Sequence, residues 1–223
     1  MKPIRLLAFT ALGSALLSAG CIGGAYTLAS ANDSGSSELI TREIPWDGSA
    51  TLIPELPSIT RYIQAPGPGK IIARGPHRSV STLTVANGHI HDKLLHTGAV
   101  IELTVTAPNV TAFAVNGRST LTIENFDQDS LTVTVQGTAQ ITASGRTQTA
   151  SVDMQGDGIA NLARLKADSL TATATGLGIV IGAPTASANL ALDGAAAAIL
   201  LTRPPQLTTD IKEYGQLIDA SPS

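Results

Sequence analysis

The chain has 223 residues, enough to bury a substantial core, with 14% charged residues, 3% aromatic residues and a formal net charge of −3. Small and β-branched residues dominate, a composition that excludes a disordered chain and disfavours a helical bundle while suiting close-packed β-layers. With no basic excess, nucleic acid is not expected as a partner.

Lys2 and Arg5 open the chain, an apolar stretch runs from Leu6 to Ile22, and Ala29-Ser30-Ala31 precedes Asn32. This order predicts a secretory signal peptide over 1–31. Two alternatives stay open. Leu17-Ser18-Ala19-Gly20-Cys21 resembles a lipoprotein signal, which would make Cys21 a lipid anchor, and the apolar run is long enough for an uncleaved span. All three readings export the folded part, to the periplasm or to the cell surface or outer membrane. Cleavage after Ala31 leaves 12 basic against 17 acidic residues, a net −5, and removes the sole cysteine. A mature chain of that kind has no disulfide to rely on and needs a long core instead.

Residues 32–43 begin as the polar run NDSGSSE and read as a linker, with the fold starting near Leu39. Residues 44–108 read as an N-terminal β cap of short strands at Tyr62–Gln64, Lys70–Ala73, Val80–Ala86 and Ala99–Thr106. They are separated by Pro66-Gly67-Pro68-Gly69, Gly75-Pro76 and Asn87-Gly88, the last a hairpin signal.

Over 109–220 a glycine returns at 117, 137, 156, 176 and 194, a period close to 20 residues. Four residues before each glycine stand Phe113, Val133, Val152, Ala172 and Leu190, and two before stand Val115, Val135, Met154, Ala174 and Leu192. Between them lie Ala114, Thr134, Asp153, Thr173 and Ala191, which face the other way because side chains alternate along a strand. A second inward pair follows each glycine, from Leu121/Ile123 to Ala198/Leu200. Period-2 segments rich in Thr and Val, joined by one recurring turn, predict an all-β, right-handed parallel β-helix of about 20-residue coils, continuous with the cap as one domain over 44–220. The glycine supplies the corner. The residue before it, Asn116, Gln136, Gln155, Thr175 or Asp193, predicts a side-chain ladder along the rod axis.

These repeats, joined by segments such as Asp129-Ser130-Leu131 and Ala167-Asp168-Ser169-Leu170, resemble the exported bacterial auto-transporter adhesin head (GIN) domain family. Leu103-Thr104-Val105-Thr106-Ala107-Pro108 resembles its lead-in, and the run from Asp210 to Ile218 its terminal rung. Family repeats read Ser-Gly-x-Gly; here the first position is Asn, Gln, Thr or Asp, and both glycines survive only at Gly156/Gly158 and Gly176/Gly178. The resemblance implies a β-helix with an adhesin-like role.

Candidate chemistry is sparse. His89-x-His91 with Asp92 and His96 is the one metal-like cluster, and it lacks a dependable third ligand. Asp157 in Gly156-Asp157-Gly158 suggests calcium but has no counterpart in neighbouring copies. Glu124, Asp127, Asp129, Asp153, Asp168 and Asp193 fall in different columns, although Asp127 and Asp129 share a face. Glycan cleavage needs paired carboxylates, and no such pair recurs from copy to copy. Arg61, Lys70, Arg74, His77 and Arg78 make the cap locally basic, with Trp46 and Tyr62 nearby to cap the rod or to meet an anionic glycan or a lipid head group. The expectation is a non-enzymatic exported scaffold, structural or adhesin-like, with no catalytic residue, metal or cofactor. Envelope glycans or another surface or membrane protein are the candidate partners, and a carbohydrate-binding or polysaccharide-degrading β-helix is the alternative.

Overall fold

The computed structural model describes residues 38–93 and 99–222; the expected signal with Cys21, and His96, lie outside the described residues. The elements in chain order are β1 (Leu39–Pro45), β2 (Thr51–Pro54), β3 (Ser58–Gln64), β4 (Lys70–Pro76), a one-turn helix α1 (His77–Ser81), β5 (Leu83–Ala86), β6 (His89–Asp92) and β7 (Ile101–Ala107). There follow β8 (Ala112–Gly117), β9 (Thr120–Asp127), β10 (Ser130–Gly137), β11 (Gln140–Gly156), β12 (Ile159–Gly176), β13 (Ile179–Gly182), β14 (Pro184–Gly194), β15 (Ala197–Leu200), β16 (Gln206–Ile211) and β17 (Gln216–Asp219).

From β8 onward the chain is a parallel β-solenoid. Phe113, Val133, Val152, Ala172 and Leu190 are register partners in one ladder, and Leu121, Ile141, Ala160, Val180 and Ala198 in the other. All ten are buried, so the period-2 alternation produces two inward faces that close on one core. Gly117, Gly137, Gly156, Gly176 and Gly194 stack at the corner, each at positive φ. The side-chain ladder expected beside them does not form. Those side chains sit in an outward column facing solvent, and main-chain bonds join the corners instead: Asp157 N–H donates to Gly137 O at 2.9 Å and Leu177 N–H to Gly156 O at 3.1 Å.

The region before Pro108 differs from a simple cap. Strands β2 and β3 lie in the rod, parallel to β8 and β9, with Leu52 beside Phe113 and Tyr62 beside Ile123. On their other side β6 pairs with β2 and β7 with β3, again parallel. The coil β2–β3 is therefore sandwiched between a later one, β6–β7, and the first glycine-bearing one. Strand β4 runs antiparallel on β7, β1 antiparallel on β4 and β5 antiparallel on β6, closing that end of the sheet. Residues 39–43, expected as linker, are strand, because β1 pairs along its whole length with β4. Val80, expected in a strand, is buried in α1, and the hairpin at Asn87-Gly88 joins β5 to β6 with both turn residues at positive φ.

Buried apolar side chains form one cluster from Ile44 to Leu200. At its centre Phe113 meets Tyr62 edge-on at 5.0 Å between ring centroids and Phe126 at 6.3 Å, joining the interleaved coil to the first repeat.

Candidate functional site

The interleaving interrupts the regular stacking of the rod at its N-terminal end. To pass from β7 to β8 the chain must step over the coil β2–β3, and residues 108–111 make that step. Thr111 and Ala112 both donate their N–H to Ala50 O, at 2.9 and 3.1 Å. A segment crossing a coil cannot join its ladders, so it leaves a hollow on each side. One, of about 420 Å³, is lined by Trp46, Asp47, Pro68, Pro108 and Asn109 among others. The other, of about 400 Å³, is lined by Gln64, Pro66, Pro108, Asn109, Asn125, Asp127 and Gln128. Both volumes fall within the range of small-molecule sites.

Most polar groups in the hollows already hold the backbone. Gln64 brackets the Asp127 peptide, donating to its carbonyl at 3.1 Å and accepting from its N–H at 2.8 Å, while Gln128 Nε2 donates to Pro108 O at 2.7 Å. Asp47 accepts from the N–H groups of Ser49 at 3.0 Å and Gly88 at 2.8 Å, and Trp46 Nε1 donates to Ser49 O at 3.2 Å. The Asn109 and Asn125 amides remain open to a ligand. Sequence reasoning missed the site, because it arises from the order in which coils stack, and only Pro108-Asn109 hinted at it.

Four of the six acids predicted as candidates, Glu124, Asp127, Asp129 and Asp168, make contacts with a neighbouring coil. Arg146 forms a two-bond fork with Asp127 at 2.6 and 2.8 Å, and Arg61 forms another with Glu124 at 2.8 and 2.6 Å. These bonds, followed by the opposing charge, hold both carboxyls below the ordinary carboxylate range. Asp129 accepts from Gln148 Nε2 at 3.0 Å, Asp168 from Thr185 at 3.3 Å and Asp193 from the N–H of Gly194 at 2.8 Å. Asp153 is exposed between Thr134 and Thr173, and Asp157 is exposed at the corner. Five of the six candidate acids are thus held by a hydrogen-bond partner, and Asp153 stands between threonines.

Three of the basic cap residues are paired, Arg61 with Glu124, Lys70 with Glu43 at 3.2 Å and Arg74 with Glu102 at 3.8 Å, while His77 and Arg78 are exposed on α1. Trp46 and Tyr62 are both buried and serve the core. The Tyr62 hydroxyl donates to Ala107 O at 2.8 Å, and burial pushes its pKa up to about 12. His89 lies 2.6 Å from Glu55, the His91 ring contacts the Thr84 hydroxyl at 2.9 Å, and Asp92 is buried, accepting from Thr82 at 2.5 Å. These residues point to separate partners. Among the described residues no group of three His, Cys, Asp or Glu is placed to hold a metal ion.

In comparisons with known proteins, a crystal structure of "a putative adhesin" from Bacteroides fragilis superposes with a TM-score of 0.62 at 18% identity, over 81% of this chain and 96% of that one. Similar to lower degree are a "putative lipid binding protein" from Parabacteroides distasonis (TM-score 0.49, 12% identity, 80% and 95% covered) and "a putative adhesin" from Parabacteroides merdae (TM-score 0.49, 12% identity, 81% and 95% covered). No curated protein matches the chain. The first superposition independently carries the β-solenoid fold. The family described as "Putative auto-transporter adhesin, head GIN domain" matches residues 81–204, which is more than half of the chain, and the protein belongs to that family.

Proposed function

We propose that this protein is an exported surface scaffold that works by binding rather than by catalysis. The observation that carries the reading is the placement of its acids: each candidate carboxylate is tied to a neighbouring coil or its own backbone, or stands alone in an outward column. Glycoside hydrolysis needs two carboxyls facing each other across a substrate, and Thr134 and Thr173 flank Asp153 instead. The surfaces offered for binding are the flat outward face carrying Thr132, Thr134, Thr171, Thr173 and Thr175, and the hollows beside Pro108. Family membership supports an adhesin-like role at the cell surface.

The test is a glycan array together with whole-cell adhesion, run on the exported protein and on an Asn109→Ala/Asn125→Ala variant. Binding that the variant loses supports the hollows as the contact site. Turnover of any glycan, or adhesion by neither protein, would sink the reading.

A further inference from the structure

The two ends of the rod are finished differently. At one end β1 carries Pro45 and extends Arg42 across α1, donating to the carbonyls of Val80 at 3.2 Å, Ser81 at 2.9 Å and Leu83 at 3.0 Å. Proline and a fixed charge are how an edge is kept from pairing. The other end is the coil β16–β17; β16 has no proline within it, and its one charge, Asp210, lies in an outward column, paired with Lys212 at 3.5 Å. By register Leu207, Thr209 and Ile211 occupy the inward columns of Ala188, Leu190 and Leu192, all three buried. Here, with no further coil above them among the described residues, Leu207 is 46% and Ile211 41% exposed.

The backbone of β16 is open in the same direction. Lys212 N–H donates back into the rod to Leu192 O at 2.8 Å. Because N–H and C=O groups alternate sides along a strand, Leu207, Thr209 and Ile211 aim theirs outward along the rod axis. In an antiparallel pair, opposed residues whose groups face the partner exchange both bonds.

We propose that this end docks onto the same end of a second copy of the chain, β16 pairing antiparallel with its counterpart about a two-fold axis at Thr209. That register sets Thr209 against Thr209 and Leu207 against Ile211, so all the outward N–H and C=O groups find partners and the apolar inward column continues across the join. The charges agree with it. Asp210 falls opposite Thr208 and Lys212 opposite Gln206, so no like charges face each other. Pairing with the opposite end of another copy would meet Arg42 and Pro45 and would propagate into a fibre, whereas the two-fold contact closes on itself. The face is small, with β16 about 20 Å and β17 about 13 Å long and about 10 Å apart, well under a standard interface. The dimer is therefore weak and concentration-dependent.

Sedimentation of the full chain from micromolar to millimolar concentration tests this, beside Thr209→Pro and Thr209→Cys. Thr209→Pro removes an N–H that points away from the rod, so the fold survives by circular dichroism while the dimer is lost. Thr209→Cys places thiols on Cα atoms about 5.5 Å apart, within disulfide reach, and oxidises to a covalent dimer, whereas Thr208→Cys does not. A monomer at every concentration overturns the proposal, as does a dimer that persists in Thr209→Pro. So does a monomer in which the Thr209 and Ile211 amides resist hydrogen exchange, because the edge would then be covered by another part of the same chain.

Discussion

Stacked corners make some glycines far less replaceable than others. Gly117 opens the column at φ +66°, and a Cβ there meets no atom within 4 Å. Gly156, at φ +119°, sits against the preceding coil, where a Cβ would lie 2.8 Å from Gly137 O and 3.0 Å from its N. Gly117→Ala should therefore cost only the left-handed backbone penalty, roughly 1–2 kcal/mol, while Gly156→Ala adds a main-chain collision and should cost at least twice as much in urea unfolding; equal losses would contradict the close stacking of corners. Exposed charges give a second expectation at this scale. The Ser221 hydroxyl and then Arg203 hold Asp219 down to about 2, and Arg146 and Arg61 lower Asp127 and Glu124. A carboxylate with a depressed folded pKa stabilises fully above its unfolded value of roughly 4 and loses that contribution as the pH falls toward 2. The melting temperature should decline across that window, and the decline should shrink in high salt because the pairs face solvent. In Asp127→Asn the drop should be smaller than in the parent, and an unchanged profile would remove Asp127 from the account.

Among the elements, the joint between the interleaved coil β2–β3 and β8–β9 is where packing is most specific. The Phe113 ring fills it between Tyr62 and Phe126, in the column that Val133, Val152 and Ala172 occupy further along. Phe113→Ala should cost about 3–5 kcal/mol, whereas Val152→Ala, farther along the rod, should cost clearly less. Guanidinium titrations of the two variants compare them directly. The same joint shows what could be read from residues alone. From Phe113 to Leu200 the columns, the corner glycine and the parallel register were legible because each coil repeats the local pattern of the last. Leu52 and Tyr62 were not legible as rod residues, because their coil has no corner glycine and pairs with strands that lie about forty to sixty positions later in the chain. The hollows beside Pro108 were hidden for the same reason, since a crossover exists only once the stacking order is known. The acids were visible as candidates, but their partners one coil away, such as Arg146 for Asp127, depend on which side each corner turns.

For the whole molecule, the order of coils makes cooperativity a property of the N-terminal half in particular. In a simple solenoid each coil touches only its neighbours, and folding energy adds along one dimension. Here β2–β3 is clamped between β6–β7 and β8–β9, so it cannot complete its ladders until residues as far along as Glu124 are in place. The buried cluster runs without a break from Ile44 to Leu200 and so includes Trp46, the only tryptophan, which sits against Gly69 near the antiparallel end. Residues 44–220 should therefore unfold as one unit, and Trp46 fluorescence, which watches that end, should share its urea midpoint with far-UV circular dichroism, which averages over the rod. If the residues before Pro108 formed a cap of independent stability, the fluorescence transition would separate from the dichroism transition in the parent protein. Phe113→Ala sharpens the comparison, because it weakens the joint and leaves both flanking stacks intact. In that variant the Trp46 midpoint should fall below the dichroism midpoint, the N-terminal half melting first. Coincident midpoints in both proteins would mean that the joint contributes no more to cooperativity than any other pair of neighbouring coils.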